Sequence, residues 1–157
     1  MPNTKYYCYD TVIGKLCIAG DSDCITNLLF EDEQIPWGWT EKEVALFKRA
    51  AEELKEYFAG ERREFDLPLC PKGTQFMLAV WEELKKIPYG KTASYSDIAE
   101  RTGRPKARRA VGLANNKNPI PIIIPCHRVI GKSGELVGYG GGLEIKKYLL
   151  SIEKDAL

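Results

Sequence analysis

The 157-residue chain has few of the side chains from which metal sites are built, since it contains a single histidine, His127, and five scattered cysteines. No Cys-x-x-Cys pair occurs, and a zinc site of two cysteines and two histidines is impossible. We therefore expect no metal site. Four of the cysteines are interpreted as small buried hydrophobic residues: Cys8, Cys17, Cys24 and Cys70.

Long apolar runs are also missing, and none approaches the roughly 18 residues that span a bilayer. The N-terminal stretch MPNTKYYCYD lacks the basic start and apolar core of a secretory signal. These absences predict a cytoplasmic protein without membrane association, in which thiols stay reduced. The apolar fraction of 44% and the charged fraction of 29% are those of an ordinary globular chain with one domain or two small ones.

Acidic residues are absent from residues 101–134, which hold eight basic residues, although the net charge of the whole chain is only +1. A segment with charge of one sign and this length indicates a polyanionic partner. A solvated surface that acidic residues balance elsewhere in the fold explains the same charge equally well. Charge by itself leaves both interpretations open.

The pattern of residues 1–70 predicts a supporting domain with a small antiparallel sheet and one helix. KLCIAG and CITNLLF are short β-rich runs separated by the turn former GDSD, and YYCYDTVIG before them supplies another strand. A helix is expected from a capping box at Thr40–Glu43 to a stop at Gly60, and CPKG is expected to end the domain. The loop IPWGWT contributes two residues interpreted as packing residues, Trp37 and Trp39.

The pattern of residues 73–157 predicts a mostly helical, winged-helix-like domain and hence an α+β fold. After a helix capped by Thr74, a short helix capped by Ser94 and a second one beginning at Pro105 form a helix-turn-helix. The isoleucines before PCHRVIG predict a buried strand, and GKSGELVGYGGG predicts a glycine-rich hairpin. A final helix is expected from Leu143 to about Lys154, with an apolar stripe of Ile145, Tyr148, Leu149 and Ile152.

The second helix of this motif combines small and basic residues. Small residues let a helix backbone approach a surface closely, and arginine and lysine bind phosphate. This composition favours sequence-tolerant DNA binding, with one arginine inserted into the minor groove. A helix whose alanines pack inward and whose arginines are only solvated is the alternative. The residues concerned are Lys106, Ala107, Arg108, Arg109, Ala110 and Gly112.

The stretch PCHRV sets Cys126 directly before His127. A thiolate is the nucleophilic form of cysteine, and nearby positive charge favours it. Adjacent residues of a strand point to opposite faces, so His127 requires a water or a local turn to act on Cys126. Glu153 is a candidate to orient the base, or merely a solvated residue near a helix end. A buried core thiol remains the competing interpretation of Cys126.

The order of motifs resembles the O6-alkylguanine-DNA alkyltransferases, also called methylated-DNA–protein-cysteine methyltransferases. The resemblance runs through most of residues 73–153, with GKTASYSDIA, GRPKARRAVG, NPIPIIIPCHRVIG and GYGGGLEIKKYLL in order, and is loose before them. It implies a stand-alone, monomeric protein of the bacterial or archaeal type. Its N-terminal domain would be ribonuclease-H-like, and its partner would be double-stranded DNA that contains O6-alkylguanine.

The resemblance also implies a mechanism without a cofactor. Cys126 takes the alkyl group irreversibly from O6 of a flipped guanine, and O4 of thymine is a possible second substrate. His127, oriented by Glu153, deprotonates Cys126 through water. Asn118 is the hinge between the recognition helix and the active-site segment. Arg109 takes the place of the flipped base in the duplex.

The resemblance also implies a role for Tyr95, a set of DNA-contacting residues and a pocket for the flipped base. Tyr95 is expected to push the phosphate of the target nucleotide and to donate to the base. Gly140 and Arg108 depart from the residues common in the family at their positions. The DNA-contacting set is Ser94, Tyr95, Arg104, Lys106, Ala107, Arg108, Arg109, Ala110 and Gly112. The pocket for the base is lined by Pro121, Val129, Tyr139, Gly140 and Gly141.

Three other functions compete with alkyl transfer. A non-catalytic, alkyltransferase-like binder of lesions is disfavoured because such proteins lack the cysteine that is present here as Cys126. A helix-turn-helix regulator predicts sequence-specific DNA binding and tolerance of Cys126→Ser. A cysteine hydrolase is disfavoured by the adjacency of Cys126 and His127 and by the lack of an evident oxyanion loop.

Overall fold

The computed structural model describes residues 4–139 and 141–156. Two compact units make up the chain, one up to Pro71 and one from Lys72 onward. No helix within the described residues has the length and apolarity needed to cross a bilayer.

Four strands form the sheet of the first unit: β1 (Lys5–Thr11), β2 (Gly14–Gly20), β3 (Ile25–Leu29) and β4 (Thr40–Glu41). Their order is β3-β2-β1-β4, with β1, β2 and β3 antiparallel and the short β4 parallel to β1. Helix α1 (Ala45–Phe58) buries residues three and four apart, as an amphipathic helix on a sheet must. The core holds Leu16, Ile18, Ile25, Leu28, Phe47, Leu54 and Tyr57.

The predicted capping box from Thr40 to Glu43 is wrong, because α1 begins only at Ala45. Both residues have other partners. The N–H of Thr40 donates to the carbonyl of Thr4 over 2.9 Å, which adds the chain to the sheet edge. Glu43 accepts a 2.6 Å hydrogen bond from the hydroxyl of Tyr9. Pairing with a distant strand therefore overrides the local helix signal.

The expectation of four reduced, buried cysteines is also wrong. They form two disulfides, Cys8–Cys17 and Cys24–Cys70, and Cys70 is exposed. The first pair lies directly opposite on β1 and β2, with Cα atoms 3.9 Å apart. The second pair is close, with a Cα separation of 5.8 Å, because the start of β3 bridges to the residue before Cys70. Strand pairing creates both contacts, so spacing along the chain did not indicate them.

Reduction of the Cys24–Cys70 disulfide is expected to destabilise the first unit by about 2–4 kcal/mol, because it releases a long loop in the unfolded chain. The bridge joins residues 46 positions apart. Thermal unfolding with and without dithiothreitol measures the effect, and the double variant Cys24→Ser/Cys70→Ser should reproduce most of it. Cys126→Ser is the matched control and should respond to reductant as the wild type does. Five free thiols in the unreduced, denatured protein would contradict the pairing.

The two tryptophans of the loop before β4 differ in how they pack. Trp39 packs against Tyr6, with ring centroids 6.4 Å apart. Trp37 is fully exposed, so the interpretation of this residue as a packing residue is wrong. The loop positions it away from the sheet because Gly38, in the left-handed region at φ +93°, reverses the chain between the two rings.

The described residues of the second unit form four α-helices, namely α2 (Gln75–Lys85), α3 (Tyr95–Arg101), α4 (Arg108–Asn116) and α5 (Leu143–Asp155). Two short parallel strands, β5 (Ala93–Ser94) and β6 (Val129–Ile130), complete its regular structure, together with a 3₁₀ turn at Cys126–Arg128. The predicted cap of α2 is confirmed, since the side chain of Thr74 accepts a hydrogen bond from the N–H of Met77. Trp81 of α2 is buried and donates to the carbonyl of Ala114 in α4 over 2.9 Å.

The helix-turn-helix consists of α3 and α4. The predicted cap of α3 at Ser94 is confirmed, and its side chain forms a reciprocal capping box with Asp97. The predicted start of the second helix at Pro105 is wrong. The N–H of Ala107 donates to the carbonyl of Arg104 in a turn, and α4 begins at Arg108. The turn satisfies the backbone before the helix starts.

The predicted isoleucine strand is wrong, although its residues are buried. Ile122 has a left-handed backbone at φ +73°, and the N–H of Ile124 donates back to the carbonyl of Ile120. Three prolines within seven residues remove the donors that a strand would need. The chain therefore turns repeatedly at this point, and Cys126 lies in the 3₁₀ turn that follows.

The glycine-rich segment after β6 is a loop, and the predicted hairpin is wrong for its described residues. Gly131 accepts a hydrogen bond from Gly134 and donates to the carbonyl of Glu135, which closes a tight turn without a second strand. The predicted apolar stripe of α5 is confirmed at Leu149 and wrong at Tyr148, while Ile145 and Ile152 are half-buried. The buried face of α5 combines Lys146, Leu149 and Glu153, while Tyr148 is exposed. Two charged residues on the buried face concealed the true periodicity.

Candidate active site

Cys126 lies in the buried 3₁₀ turn of the second unit and is the one cysteine that forms no disulfide. Its N–H donates to the carbonyl of Ile124 over 2.7 Å. The side chain of Asn118 supports the segment before it, because it donates to Ile124 and accepts from the N–H of Ile120. Asn118 thus fixes the backbone on which the thiol is mounted.

Cys126 and His127 lie in a 3₁₀ turn and not in a strand, so the alternation of side chains between opposite faces does not apply to them. His127 is fully buried, and its Nε2 lies 2.6 Å from Oε2 of Glu153 on α5. Burial lowers the pKa of His127, although Glu153 opposes this effect, so the imidazole is neutral at neutral pH. A neutral ring that donates from Nε2 carries its basic lone pair on Nδ1. The carboxylate therefore selects the tautomer in which Nδ1 can accept a proton.

Glu153 is held from a second side by Arg128. The guanidinium contacts both carboxylate oxygens, at 2.9 and 3.0 Å, and donates to the carbonyl of Ile87 over 2.8 Å. Burial raises the pKa of Glu153, but the hydrogen bonds from His127 and Arg128 and the charge of Arg128 outweigh it and bring the pKa to about 2. The bidentate pair keeps Glu153 ionised and fixed in orientation.

The thiol of Cys126 is protonated at rest. Burial raises its pKa to about 11, while Asn118, Lys146 and Tyr139 each favour the thiolate. Such a thiol is a weak nucleophile until a base removes its proton. The neighbouring histidine–carboxylate pair is a base of this kind.

Tyr95 begins α3 and lies close to Gly112 of α4, which faces its ring. Its hydroxyl donates to the carbonyl of Val137 in the glycine-rich loop over 3.0 Å. Burial raises the pKa of Tyr95, and so does the charge of Cys126 when that residue ionises. Tyr95 thus connects the helix-turn-helix to the loop beside the reactive thiol.

The predicted DNA-contacting residues form a largely exposed surface. The basic side chains from Arg101 to Lys117 are all exposed, whereas Arg128 is buried against Glu153 and does not contribute to this surface. Arg104 also lies over the ring of Phe76, 5.3 Å from its centroid. Arg104, Lys106, Arg108, Arg109 and Ala110 are exposed, and Ser94, Tyr95, Ala107 and Gly112 are half-buried.

The predicted pocket residues are distributed between the core and the loop. Pro121 and Val129 are buried, and Tyr139 and Gly141 are half-buried. Tyr139 contributes a hydrogen bond that favours the Cys126 thiolate. Gly140 lies outside the described residues. No group of three metal-ligating side chains occurs among the residues that the structure describes.

Sequence reasoning did not predict the positions of three further residues near the thiol. Arg128 was counted as part of the positive field, not as the partner of Glu153. Lys146 is fully buried beside the site. Asn115 is buried on α4 and donates to the carbonyl of Cys126 over 3.3 Å. A lysine and a glutamate seven residues apart on a helix indicate one shared face, and this spacing could have revealed Lys146.

A buried thiol with a histidine–carboxylate pair, in a unit that presents an exposed basic helix-turn-helix, defines a DNA-binding protein with a reactive cysteine. The model of the 6-O-methylguanine DNA methyltransferase DNA binding domain matches residues 75–155, and that of the ribonuclease-like domain matches residues 4–71. The chain belongs to the 6-O-methylguanine DNA methyltransferase family. The predicted family and α+β fold are thereby confirmed.

Relatives match nearly the whole chain. Methylated-DNA–protein-cysteine methyltransferase of Methanosarcina acetivorans is 48% identical, covering 94% of this chain and 97% of its own. The protein of that name from Mycolicibacterium paratuberculosis is 52% identical, with 96% and 92% covered. The constitutive one of Bacillus subtilis is 49% identical, with 95% and 94% covered. The crystal structure of Mycobacterium tuberculosis OGT in complex with DNA matches with a TM-score of 0.92 and 49% identity, covering 97% of this chain and 94% of that one.

Proposed function

We propose that the protein repairs DNA by transferring the alkyl group of O6-alkylguanine to Cys126, once per molecule. One observation carries this proposal: the free thiol adjoins a buried histidine–carboxylate pair in the unit that exposes the basic helix. The names of the relatives and the DNA complex of a similar structure support the same activity. Its place of action would be the cytoplasm, which the DNA-repair relatives support, and the two disulfides would be unusual for that compartment.

In the proposed step, the proton of the Cys126 thiol passes through a water to Nδ1 of His127, whose positive charge Glu153 stabilises. The thiolate sulfur attacks the alkyl carbon, so that an S–C bond forms as the bond from that carbon to O6 breaks. The guanine leaves with the electron pair and takes up a proton from water on N1, which restores its normal lactam form, and protonated His127 returns the thiol proton to water. The thioether cannot be reversed by this chemistry, and the molecule is spent.

The helix-turn-helix would bind the duplex and bring the target base to the thiol. The exposed basic residues bind phosphates and fix the position of the duplex, and Arg109 fills the gap left by the flipped base. Tyr95 would contact the backbone of the flipped nucleotide, and its hydrogen bond to the glycine-rich loop supports this role. Small residues of α4 keep the helix close to the groove.

A stoichiometry experiment tests the proposal. Increasing amounts of a duplex oligonucleotide with one O6-methylguanine are incubated with a fixed amount of protein, and repaired DNA is counted. Repair should stop at one lesion per protein molecule, because Cys126 is consumed. Continued turnover, or no repair at all, would contradict a stoichiometric alkyltransferase.

Arg109→Ala should slow the repair of duplex DNA by tenfold or more, since an extrahelical base then leaves an unfilled gap. The reaction with free O6-methylguanine base should change by less than about twofold, because no duplex has to be opened. Single-turnover rates with the two substrates decide between these outcomes. An equal loss on both substrates would show that Arg109 acts elsewhere than on the duplex.

A further inference from the structure

Asn115 is a polar residue at a position of α4 that belongs to the core. It shares the buried face of this helix with Val111, one turn before it, and with Ala114. Only 2% of Asn115 is exposed. An amphipathic helix has apolar side chains on such a face, so packing alone does not explain an amide here.

The amide of Asn115 contacts the backbone of the nucleophile. Its Nδ2 donates to the carbonyl oxygen of Cys126 over 3.3 Å. A carbonyl oxygen only accepts hydrogen bonds, so this contact fixes which end of the amide faces Cys126. The other end, Oδ1, is buried and accepts no hydrogen bond from the residues that the structure describes.

Stability alone would not favour this arrangement. The carbonyl of Cys126 also accepts the N–H of Val129, so it has a partner without Asn115. A buried acceptor without a partner costs at least as much as an ordinary hydrogen bond contributes. A leucine has nearly the same branched shape and would bury no polar atom. The amide therefore points to a role in the reaction.

Helix α4 carries candidate DNA contacts near its other end. Arg109 is exposed there, and Asn115 lies roughly 9 Å further along the helix axis, at 1.5 Å per residue. The end near Asn115 is anchored, because the carbonyl of Ala114 accepts the indole N–H of Trp81 over 2.9 Å. A helix that contacts both the duplex and the backbone of Cys126 would set the distance between the sulfur and the bound DNA.

We propose that Asn115 is a positioning residue for alkyl transfer from duplex DNA, whose amide ties the carbonyl of Cys126 to the helix that carries Arg109. This tie aligns the sulfur with the alkyl carbon of the flipped base. Asn118 has a different task, since it binds the carbonyl of Ile124 in the segment before the thiol. The inference rests on the proposed function, because it concerns the position of the sulfur relative to a bound duplex.

The test compares Asn115→Leu with Asn116→Leu. Asn116 is the exposed neighbour on α4, so the control makes the same chemical change on the same helix. Single-turnover repair of a duplex with one O6-methylguanine is measured at increasing protein concentration, which separates the half-saturating concentration from the rate constant at saturation. The rate constant of Asn115→Leu should fall by about tenfold or more, because a misplacement of about 1 Å can cost a hundredfold.

The half-saturating concentration of Asn115→Leu should stay within about twofold of the wild type, since the side chains that bind phosphate are unchanged. Asn116→Leu should keep both values. The reaction of Asn115→Leu with free O6-methylguanine base should also stay within about twofold, because α4 does not hold a free base against the thiol. The melting temperature should not fall, since no buried acceptor is left without a partner.

Two results would overturn the inference. One is unchanged repair of duplex DNA by Asn115→Leu. The other is an equal loss on duplex and free base together with a lowered melting temperature, which would make Asn115 a structural residue. A wild-type protein that repairs no lesion at all would instead refute the proposed function, so the two failures are distinguishable.

Asn115→Asp keeps the shape of the side chain and applies even where Asn115→Leu does not fold. A protonated carboxyl group can donate to the carbonyl of Cys126 as the amide does, whereas an ionised one cannot. Burial raises the pKa of such a carboxyl group, so the ratio of the duplex rate to the free-base rate should fall by about tenfold between about pH 5.5 and about pH 8.5. This ratio cancels the titration of Cys126 and of its charged neighbours, which affects both reactions. Asn116→Asp, with the same added charge, should keep the pH dependence of the wild type. The same pH dependence in Asn115→Asp would overturn the inference.

Discussion

Incubation with DNA that contains O6-methylguanine is expected to add one methyl group to Cys126 and to no other residue, and Cys126→Ser should abolish the transfer. A serine hydroxyl at this position is far less readily ionised than a thiol, so a loss of at least about a thousandfold is expected. The other cysteines are paired in disulfides and cannot compete for the methyl group. Peptide mass spectrometry of the reacted protein locates the added mass.

The DNA affinity of Cys126→Ser is the control for this experiment. The basic residues of the helix-turn-helix are exposed and do not depend on the sulfur, so binding of the same duplex should stay within a few-fold of the wild type. Methyl transfer by Cys126→Ser, or a methyl group on another side chain of the wild type, would refute the assignment of the nucleophile. If Cys126→Ser loses both DNA binding and methyl transfer, the variant is misfolded, and a lowered melting temperature would show this.

Glu153→Gln is expected to reduce both stability and rate. The buried guanidinium of Arg128 loses its charged partner, and breaking a buried pair in this way destabilises a protein by about 3–5 kcal/mol. The new amide can also donate to Nε2 of His127, which moves the ring proton to Nδ1 and removes the base. We therefore expect single-turnover repair to slow by a hundredfold or more. Glu144→Gln, on an exposed position of α5, is the matched control for the charge change.

The same carboxylate predicts a pH dependence of stability. The pKa of Glu153 is about 2 in the folded protein against an ordinary value of 4.5. Because the folded state holds the ionised form more strongly, the stabilisation is complete above about pH 4.5 and is lost as the pH falls towards 2. It amounts to about 3 kcal/mol. Urea unfolding at pH 6 and at pH 3 measures this loss, which should be smaller in Glu153→Gln than in wild type or Glu144→Gln. Equal losses in all three would contradict it.

The elements that sequence reasoning located correctly depend on short-range rules. Ser94 caps α3 as predicted because its partner, the N–H of Asp97, lies within the same helical turn. The strands around KLCIAG and CITNLLF, and the cap of α2 at Thr74, follow from equally local patterns. The basic surface from Arg101 to Lys117 follows from the order of charged residues along the chain, which requires no distant partner.

Most of the elements that sequence reasoning misjudged depend on partners distant in the chain. Thr40 joins a strand edge instead of capping a helix, since the backbone of Thr4 accepts its N–H. Cysteines that looked isolated face one another once β1 and β2 pair. The isoleucine run is buried as predicted, but its prolines prevent a strand. In most of these cases a tertiary contact competes with the local preference and prevails.

By itself the sequence determined which residue is the nucleophile candidate, which segment is the candidate for DNA contact and which family the chain resembles, because these depend on residue identity and order. Only the tertiary structure decided which groups surround the thiol and can activate it. It turned the PCHRV segment into a 3₁₀ turn, placed Glu153 2.6 Å from His127 and paired Arg128 with the same carboxylate. It also buried Lys146 beside Cys126. Charges that lie 20 or more residues apart in sequence act on one sulfur only after folding brings them together and removes the water between them.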